Sequence, residues 1–450
     1  MASTKISYTQ TTPTNNLKYT ISFWFKKAQP KISGTQYYMS AVVSGYANYW
    51  FIRSHNTDDN LDINNIASSG TGGRLITNRK FRDPSAWYHV VYVYDSANVT
   101  AGDRMKLYVN GVEETSFATD TNPTLNQASV PNSNSQVLDI GREGTTPTAY
   151  FDGCMSHVQF VDGLALAPTE FGEFDSTSGI WKIKTGSYAT PGNNGFHLKM
   201  EDASNLDLDS SSNAHTFTTT GTLTATKDNP SNNFATMNPL CKGDNAYSNG
   251  NLTIQTNSNN WHSGVSSLCV GGGKWYAEYK WNATGGTNFG IADARRINLW
   301  GEGEMGYLPT GAVGDSVGWH GGGSDVKKNG SSYYTADTYS AGDIISVALD
   351  CDNGAVYFRK NGGSWQNSGD PTSGATRTGA VPITTGETYF FGATTWTSGC
   401  NISANFGCGY FGTTSTGTTE ADDAGIGQFK YDVPAGYYAL CTKNIKAYGG

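Results

Sequence analysis

The chain has 450 residues, enough for two or three domains that each bury a core. Charged residues make up 15%, against roughly 25% in an average soluble protein, while Gly (55 residues) and aromatics (12%) are abundant, a mix that suits short strands joined by turns better than helices. A net charge of −8 without a Lys/Arg cluster excludes a phosphate-tracking surface, so no nucleic-acid partner is expected; nor is membrane insertion, because no apolar run approaches the roughly 20 residues of a spanning helix.

Strand signals begin at Tyr19–Phe25, where Ile21, Phe23 and Phe25 share one face. Trp87–Asp95 (WYHVVYVYD) places Tyr88, Val90, Tyr92 and Tyr94 on one side and Trp87, His89, Val91 and Val93 on the other. A strand apolar on both faces belongs in the middle of a packed sandwich. Met105–Val112 runs into Asn110-Gly111, the strongest short hairpin signal, and Asn329-Gly330 and Asn361-Gly362 repeat it. Helix signals reduce to one possible turn at Ala167–Phe171. Two prolines amid Asn, Ser and Thr in Asp228–Pro239 mark a boundary. The expected organisation is all-β, with two consecutive jelly-roll β-sandwiches: residues 1–230, a linker at 231–245, and residues 246–450. No N-terminal signal is visible, since Met1 leads into polar residues, so synthesis in a cytosol is expected. Seven cysteines without a C-x-x-C read as buried thiols, with a Cys400–Cys408 disulfide left open.

Two family resemblances follow from these motifs. Tyr19–Phe25, Trp87–Asp95, Lys106–Gly111 (KLYVNG), Ile140-Gly141-Arg142 and Phe151–Phe160 (FDGCMSHVQF) resemble the concanavalin A-like lectin/glucanase fold in its laminin-G or pentraxin form. Gly273–Tyr279 (GKWYAEY), Phe289–Ala292, Asp315–Trp319, Ala341–Asp350, Asn353–Gly362, Tyr389–Ala393 and Ala404–Gly407 look like a SPRY domain, a β-sandwich that binds protein or peptide through loops at one face. Between them, Asn194–Leu206, Asp209–Phe217 and Asp228–Pro239 resemble a segment frequent in bacteriophage tail and fibre proteins. The combination implies a non-enzymatic virion protein, such as a tail-fibre or tail-tip adhesin that attaches to a bacterial surface glycan or protein beside other virion proteins. A homo-oligomer, a trimer by resemblance, would add avidity. Met1 enters the first sandwich almost at once, which leaves no obvious N-terminal anchor or stalk. The alternatives are a purely architectural capsid decoration or fibre-base protein, or a cellular glycan-binding or glycan-cleaving relative.

The chemical signals are sparse. Paired carboxylates at two-residue spacing, as a glucanase needs, appear only loosely, at Glu173/Asp175 and Glu302/Glu304, both in turn-like surroundings. Gly301–Gly306 matches G-x-G-x-x-G but has no βαβ context, and its carboxylates would repel a pyrophosphate. His89 and His157 lie in apolar strands and read as satisfied core histidines. A calcium ion would want several carboxylate oxygens, for which Asp202, Asp207 and Asp209, and separately Asp58, Asp59, Asn60 and Asp62, have the right type; no other cofactor is indicated. The ligand-binding candidates are Trp300, Tyr307, Trp319, His320 and Trp396, aromatics set among Gly, Ser and Thr, and seven of the 11 tryptophans follow residue 260.

Overall fold

The computed structural model describes residues 4–30, 34–42, 48–55, 58–66, 72–144, 149–184, 190–241, 243–283, 285–295, 303–307 and 313–449. The chain divides into two compact units, Met1–Ala225 and Thr226–Gly450.

The first unit faces two antiparallel sheets across one core. The six-stranded sheet runs Phe196–Leu198, Gly153–Asp162, Lys18–Lys27, Tyr88–Asp95, Met105–Val109, Val112–Glu113. The eight-stranded sheet runs Phe117–Thr121, Arg74–Lys80, Asn60–Ile66, Tyr49–Ser54, Gln36–Val42, Val137–Ile140, Lys5–Thr9, Thr218–Thr220. The register Ile21↔Tyr92 and Phe23↔Val90 lines up the predicted faces. Tyr19, Ile21, Phe23, Phe25, Val90, Tyr92 and Tyr94 pack against Trp50, Ile52, Ile63 and Leu138 in the core. The other face of the six-stranded sheet is also covered: Val91, Val93 and Val161 lie under Phe171. Asn110 and Gly111 turn the Met105–Val109 hairpin with φ of 50° and 80°, the left-handed pair of a type I′ turn. A Cβ at Gly111 would fall 2.4 Å from the ring of Trp181, so glycine lets that indole lie on the hairpin.

The second unit repeats the plan. One sheet runs Asn245–Ser248, Thr253–Thr256, Asn401–Asn405, Lys274–Trp281, Ile344–Asp350, Ala355–Lys360, Val381–Pro382, with Tyr438–Ala439 beside Lys274–Trp281. The other runs His262–Val265, Tyr389–Trp396, Gly286–Asp293, Ser316–His320, Asp325–Lys328, Ser331–Thr335. Trp275 enters the core between the sheets, and its neighbour Tyr276 points to the opposite face, beneath Phe429, Tyr437 and Ala439. The expected linker at 231–245 is instead built into this unit, because Phe234, Ala235 and Met237 are buried in its cores and Met237 bridges Ser266. The turn near Ala167 is a 3-10 turn, Pro168–Glu170, and a terminal α-helix, Thr442–Tyr448, was not expected.

A buried carboxylate fixes the C-terminal covering segment. Glu278, with no exposed surface, accepts from the Lys430 and Tyr431 backbone N–H groups at 2.8 and 2.9 Å, from the Tyr276 hydroxyl at 3.2 Å and from Asn405 Nδ2 at 3.3 Å. Burial pushes its carboxyl up to about 7, against the pull of those four donors.

The folded carboxyl therefore holds its proton more tightly than the unfolded one. Its stabilising contribution is complete below about pH 4.5 and is lost as pH rises through about 7. Urea midpoints of the second unit between pH 5 and 8 should show this fall, and Glu278→Gln should remove it. Phe289→Ala, in the centre of that core, should lower the unit's unfolding free energy by about 3–5 kcal/mol in the same assay.

Candidate functional site

The buried histidines are satisfied within the sheet. His89 Nδ1 accepts from the Trp181 indole N–H at 2.9 Å, which leaves Nε2 as the protonated nitrogen facing Ser22 Oγ at 2.8 Å. In that tautomer His89 cannot take a proton from Ser22, and burial pushes its pKa down to about 3. His157 sits at a strand bulge with φ of 49°, between Ser156 Oγ at 2.8 Å from Nδ1 and Glu201 Oε1 at 3.6 Å from Nε2. Ser156 is buried, which keeps a substrate carbonyl from its oxygen.

Glu302 lies outside the described residues, and the other acidic candidates apart from Glu304 are consumed locally. Glu173 and Asp175 both pair with Lys182 at 3.3 Å, and Asp175 also accepts from the Thr177 and Ser178 N–H groups as a turn residue. Asp202, Asp207 and Asp209, expected as a calcium set, do not converge. Asp202 closes a turn onto Ser204, and Asp207 accepts from Thr219 at 2.6 Å. Asp209 accepts the backbone N–H groups of His197, Ser211 and His215. The residues do not fit a hard cation, and among the described residues no group of three His, Cys, Asp or Glu side chains is placed to hold a metal ion. Asp59 and Asp62 pair with cations, Asp59 with Lys27 and Arg82, Asp62 with Arg53 and Arg74. Cys400 is a buried thiol whose Sγ faces the Gly286 carbonyl at 3.6 Å, not a disulfide partner of Cys408.

The aromatic candidates divide. Trp300 lies outside the described residues. Trp319 is fully buried, its ring edge-on to Tyr339 at 5.2 Å and its Nε1–H donating to the Asp337 carbonyl at 3.2 Å. It is a core residue and not a ligand contact, because strand alternation over Ser316–His320 sends Trp319 inward and His320 outward. Tyr307, His320 and Trp396 do gather on the outer face of the second unit's six-stranded sheet, joined by Trp261. The Trp261 and Trp396 rings lie 5.1 Å apart at 44°, and Trp261 lies 6.0 Å from His320. All four are partly exposed.

A strap, described at residues 303–307, builds one wall of this patch. Its Met305 is buried against the sheet; Met305 N–H donates to Thr394 Oγ1 and Gly306 N–H to Ser316 Oγ, both at 2.8 Å. The strap can lie flat because the strands beneath it carry glycine: a Cβ at Gly392 would come within 2.2 Å of Met305 Cε. At the rim Lys327 donates to the Tyr307 hydroxyl and stands 4.4 Å above the Tyr307 ring. Asp325 Oδ1 approaches His320 Nδ1 at 3.8 Å. Burial and Lys327 hold the His320 imidazole below its ordinary pKa, so it is neutral at pH 7. Glu304 is half-buried, and desolvation raises its carboxyl. The result is two fixed indole faces beside a neutral imidazole, a carboxylate, a phenol and an ammonium. Trp261 was missed in the sequence, although Asn259-Asn260-Trp261-His262 is the same polar setting that singled out the others.

Comparison with known proteins places the first sandwich. Residues 2–170 match the model of the concanavalin A-like lectin/glucanases superfamily. No curated protein matches the sequence. Among solved structures, the SPRY domain of human HERC1 is 15% identical, with 37% of this chain and 96% of that one covered and a TM-score of 0.30. A SAP-like pentraxin from Limulus polyphemus is 20% identical over 36% of this chain and 71% of that one, with a TM-score of 0.27. The LG1-3 region of the laminin alpha2 chain is 8% identical, with a TM-score of 0.31; 89% of this chain is covered, and the chain spans 60% of that fragment. The chain is thus an all-β protein of sandwich sheets whose N-terminal part carries the concanavalin A-like fold.

Proposed function

We propose that this chain is a non-enzymatic adhesin that binds a bacterial surface glycan through the Trp261–Trp396 patch of its second unit. The observation that carries the reading is the pair of partly exposed indoles, 5.1 Å apart and fixed by a buried sheet beneath. The C–H face of a sugar ring packs on an indole face, and hydroxyls around its edge need alternating donors and acceptors. His320, Asp325, Tyr307 and Lys327 supply both at the rim. In a larger frame, the Asn194–Leu206 and Asp209–Phe217 segments support display on a tailed-phage virion as a homo-oligomer, where several weak sugar sites act together.

The test is a glycan array followed by calorimetric titration of the full chain with the selected glycan. Trp396→Ala and Trp261→Ala should each cost about 2 kcal/mol or more of binding energy, as hot-spot aromatics do, a loss of roughly thirtyfold in affinity. Wild-type affinity in both variants would refute the reading. So would an array without a hit, in which case an architectural role gains, to be judged by copy number and position in purified particles.

A further inference from the structure

The aromatic patch of the second unit has a length and a direction. Four neighbouring strands of the six-stranded sheet, Tyr389–Trp396, Gly286–Asp293, Ser316–His320 and Asp325–Lys328, each lie beneath one part of it. Trp396 ends the first. Over the second lies the Trp261 indole: at Gly286, registered opposite Trp396, a Cβ would fall 2.8 Å from the Trp261 ring. His320 ends the third, and its cross-strand partner on the fourth is Asp325. Lys327, two residues on, shares the face of Asp325 and meets Tyr307. All six of these side chains are partly exposed. Three strand intervals of ~4.8 Å put the ends of the row about 14 Å apart. The strap crosses the strands in the same direction. Its Gly303 N–H donates to the Trp261 carbonyl at 3.3 Å, a Cβ at Gly318 would meet the Met305 carbonyl at 2.5 Å, and its Tyr307 stands at Lys327.

Two observations speak against a site for one sugar ring. To clamp a ring between them, the indoles would have to stand about 7–8 Å apart, twice the ~3.5–4.0 Å contact distance of carbon atoms. At 5.1 Å and 44° they admit nothing between them, so a sugar lies on them. Beyond the indoles, polar atoms want partners. Asn288 Oδ1, His320 Nδ1 and Asp325 Oδ1 are buried without a hydrogen-bond partner among the described residues. The three residues are cross-strand neighbours in a single row, Asn288↔His320↔Asp325. Buried polar groups in folded proteins are almost always paired. Hydroxyls of further rings, or waters bridging to them, would satisfy this row.

A sugar ring with its glycosidic oxygen advances a chain by about 5 Å, as bonds near 1.5 Å dictate. The row is therefore as long as about three rings. We infer, resting on the reading that this patch binds a glycan, that its ligand is a linear chain of about three sugar rings laid across the strands, and not a single terminal sugar. The chain runs beside the strap from Trp396 over His320 and Asp325 to Lys327 and Tyr307. Rings at one end pack on the two indoles, and the ring at the other end offers its hydroxyls to Asp325 and Lys327.

A ladder of one to six rings, cut from the glycan selected on the array and titrated calorimetrically into the full chain, tests this. Affinity should climb by roughly tenfold per ring up to the third, as each ring adds its own contacts, and then level off. Asp325→Ala should cost the three-ring member roughly tenfold, the loss expected when a charged acceptor is removed; the wild-type ladder decides the matter without the variant if Asp325→Ala does not fold. Full affinity at one ring would overturn the inference and leave the indole reading standing. So would an even climb to the sixth ring, or a folded Asp325→Ala that binds three rings as tightly as wild type. No binding at any length would remove the indole reading and this inference together.

Discussion

Burial on both faces of the central strands governs this molecule. Lys18–Lys27 and Tyr88–Asp95 in the first unit, and Lys274–Trp281 in the second, send large side chains to either side of their sheets. A two-layer sandwich can cover only one of those sides. Each unit therefore adds a further covering layer from its own C-terminal half: Phe171 and Trp181 in the first, the Phe429–Cys441 region in the second. Polar atoms caught beneath these covers must find partners. This accounts for the Ser22–His89–Trp181 chain and for Glu278 with its four donors.

The same logic locates the proposed recognition surface. In the second unit the six-stranded sheet carries on its outer side a strap, of which residues 303–307 are described, seated on glycines. Among the described residues the aromatic side chains of the outer face beside it stay partly open. Trp396 and His320 are carried by strands and Trp261 directly precedes the strand His262–Val265, and they are open because nothing among the described residues covers them fully. A preformed patch of this kind spends little entropy on binding.

The sandwiches themselves were legible in the sequence. Alternation in Tyr19–Phe25, the run of Trp87–Asp95 that is apolar on both faces, and the Asn-Gly turns mark strands by local physics alone. What was hidden depends on contacts distant in sequence. Trp319 is followed by His320 and three glycines and has Gly318 and Ser316 as its outward neighbours, so it reads as a loop residue. Those small residues are there because the strap lies on them, and the parity of the strand sends the indole into the core. Residues 231–245 have a linker's composition, yet Phe234, Ala235 and Met237 supply the anchors that draw the segment into the second unit. Asp202, Asp207 and Asp209 have the right chemistry for calcium, but spacing along the chain does not say whether carboxylates converge. The helix Thr442–Tyr448 is seven residues long, too short for a period to show.

The central claim is that ligand meets the open indole pair and not the buried aromatics. Indole N–H signals of the ¹⁵N-tryptophan-labelled chain, followed during titration with the glycan selected on the array, address it most directly. The account predicts that the Trp261 and Trp396 signals shift together while those of Trp275 and Trp319 stay in place. Shifts confined to other tryptophans, or none at saturating glycan, would contradict it.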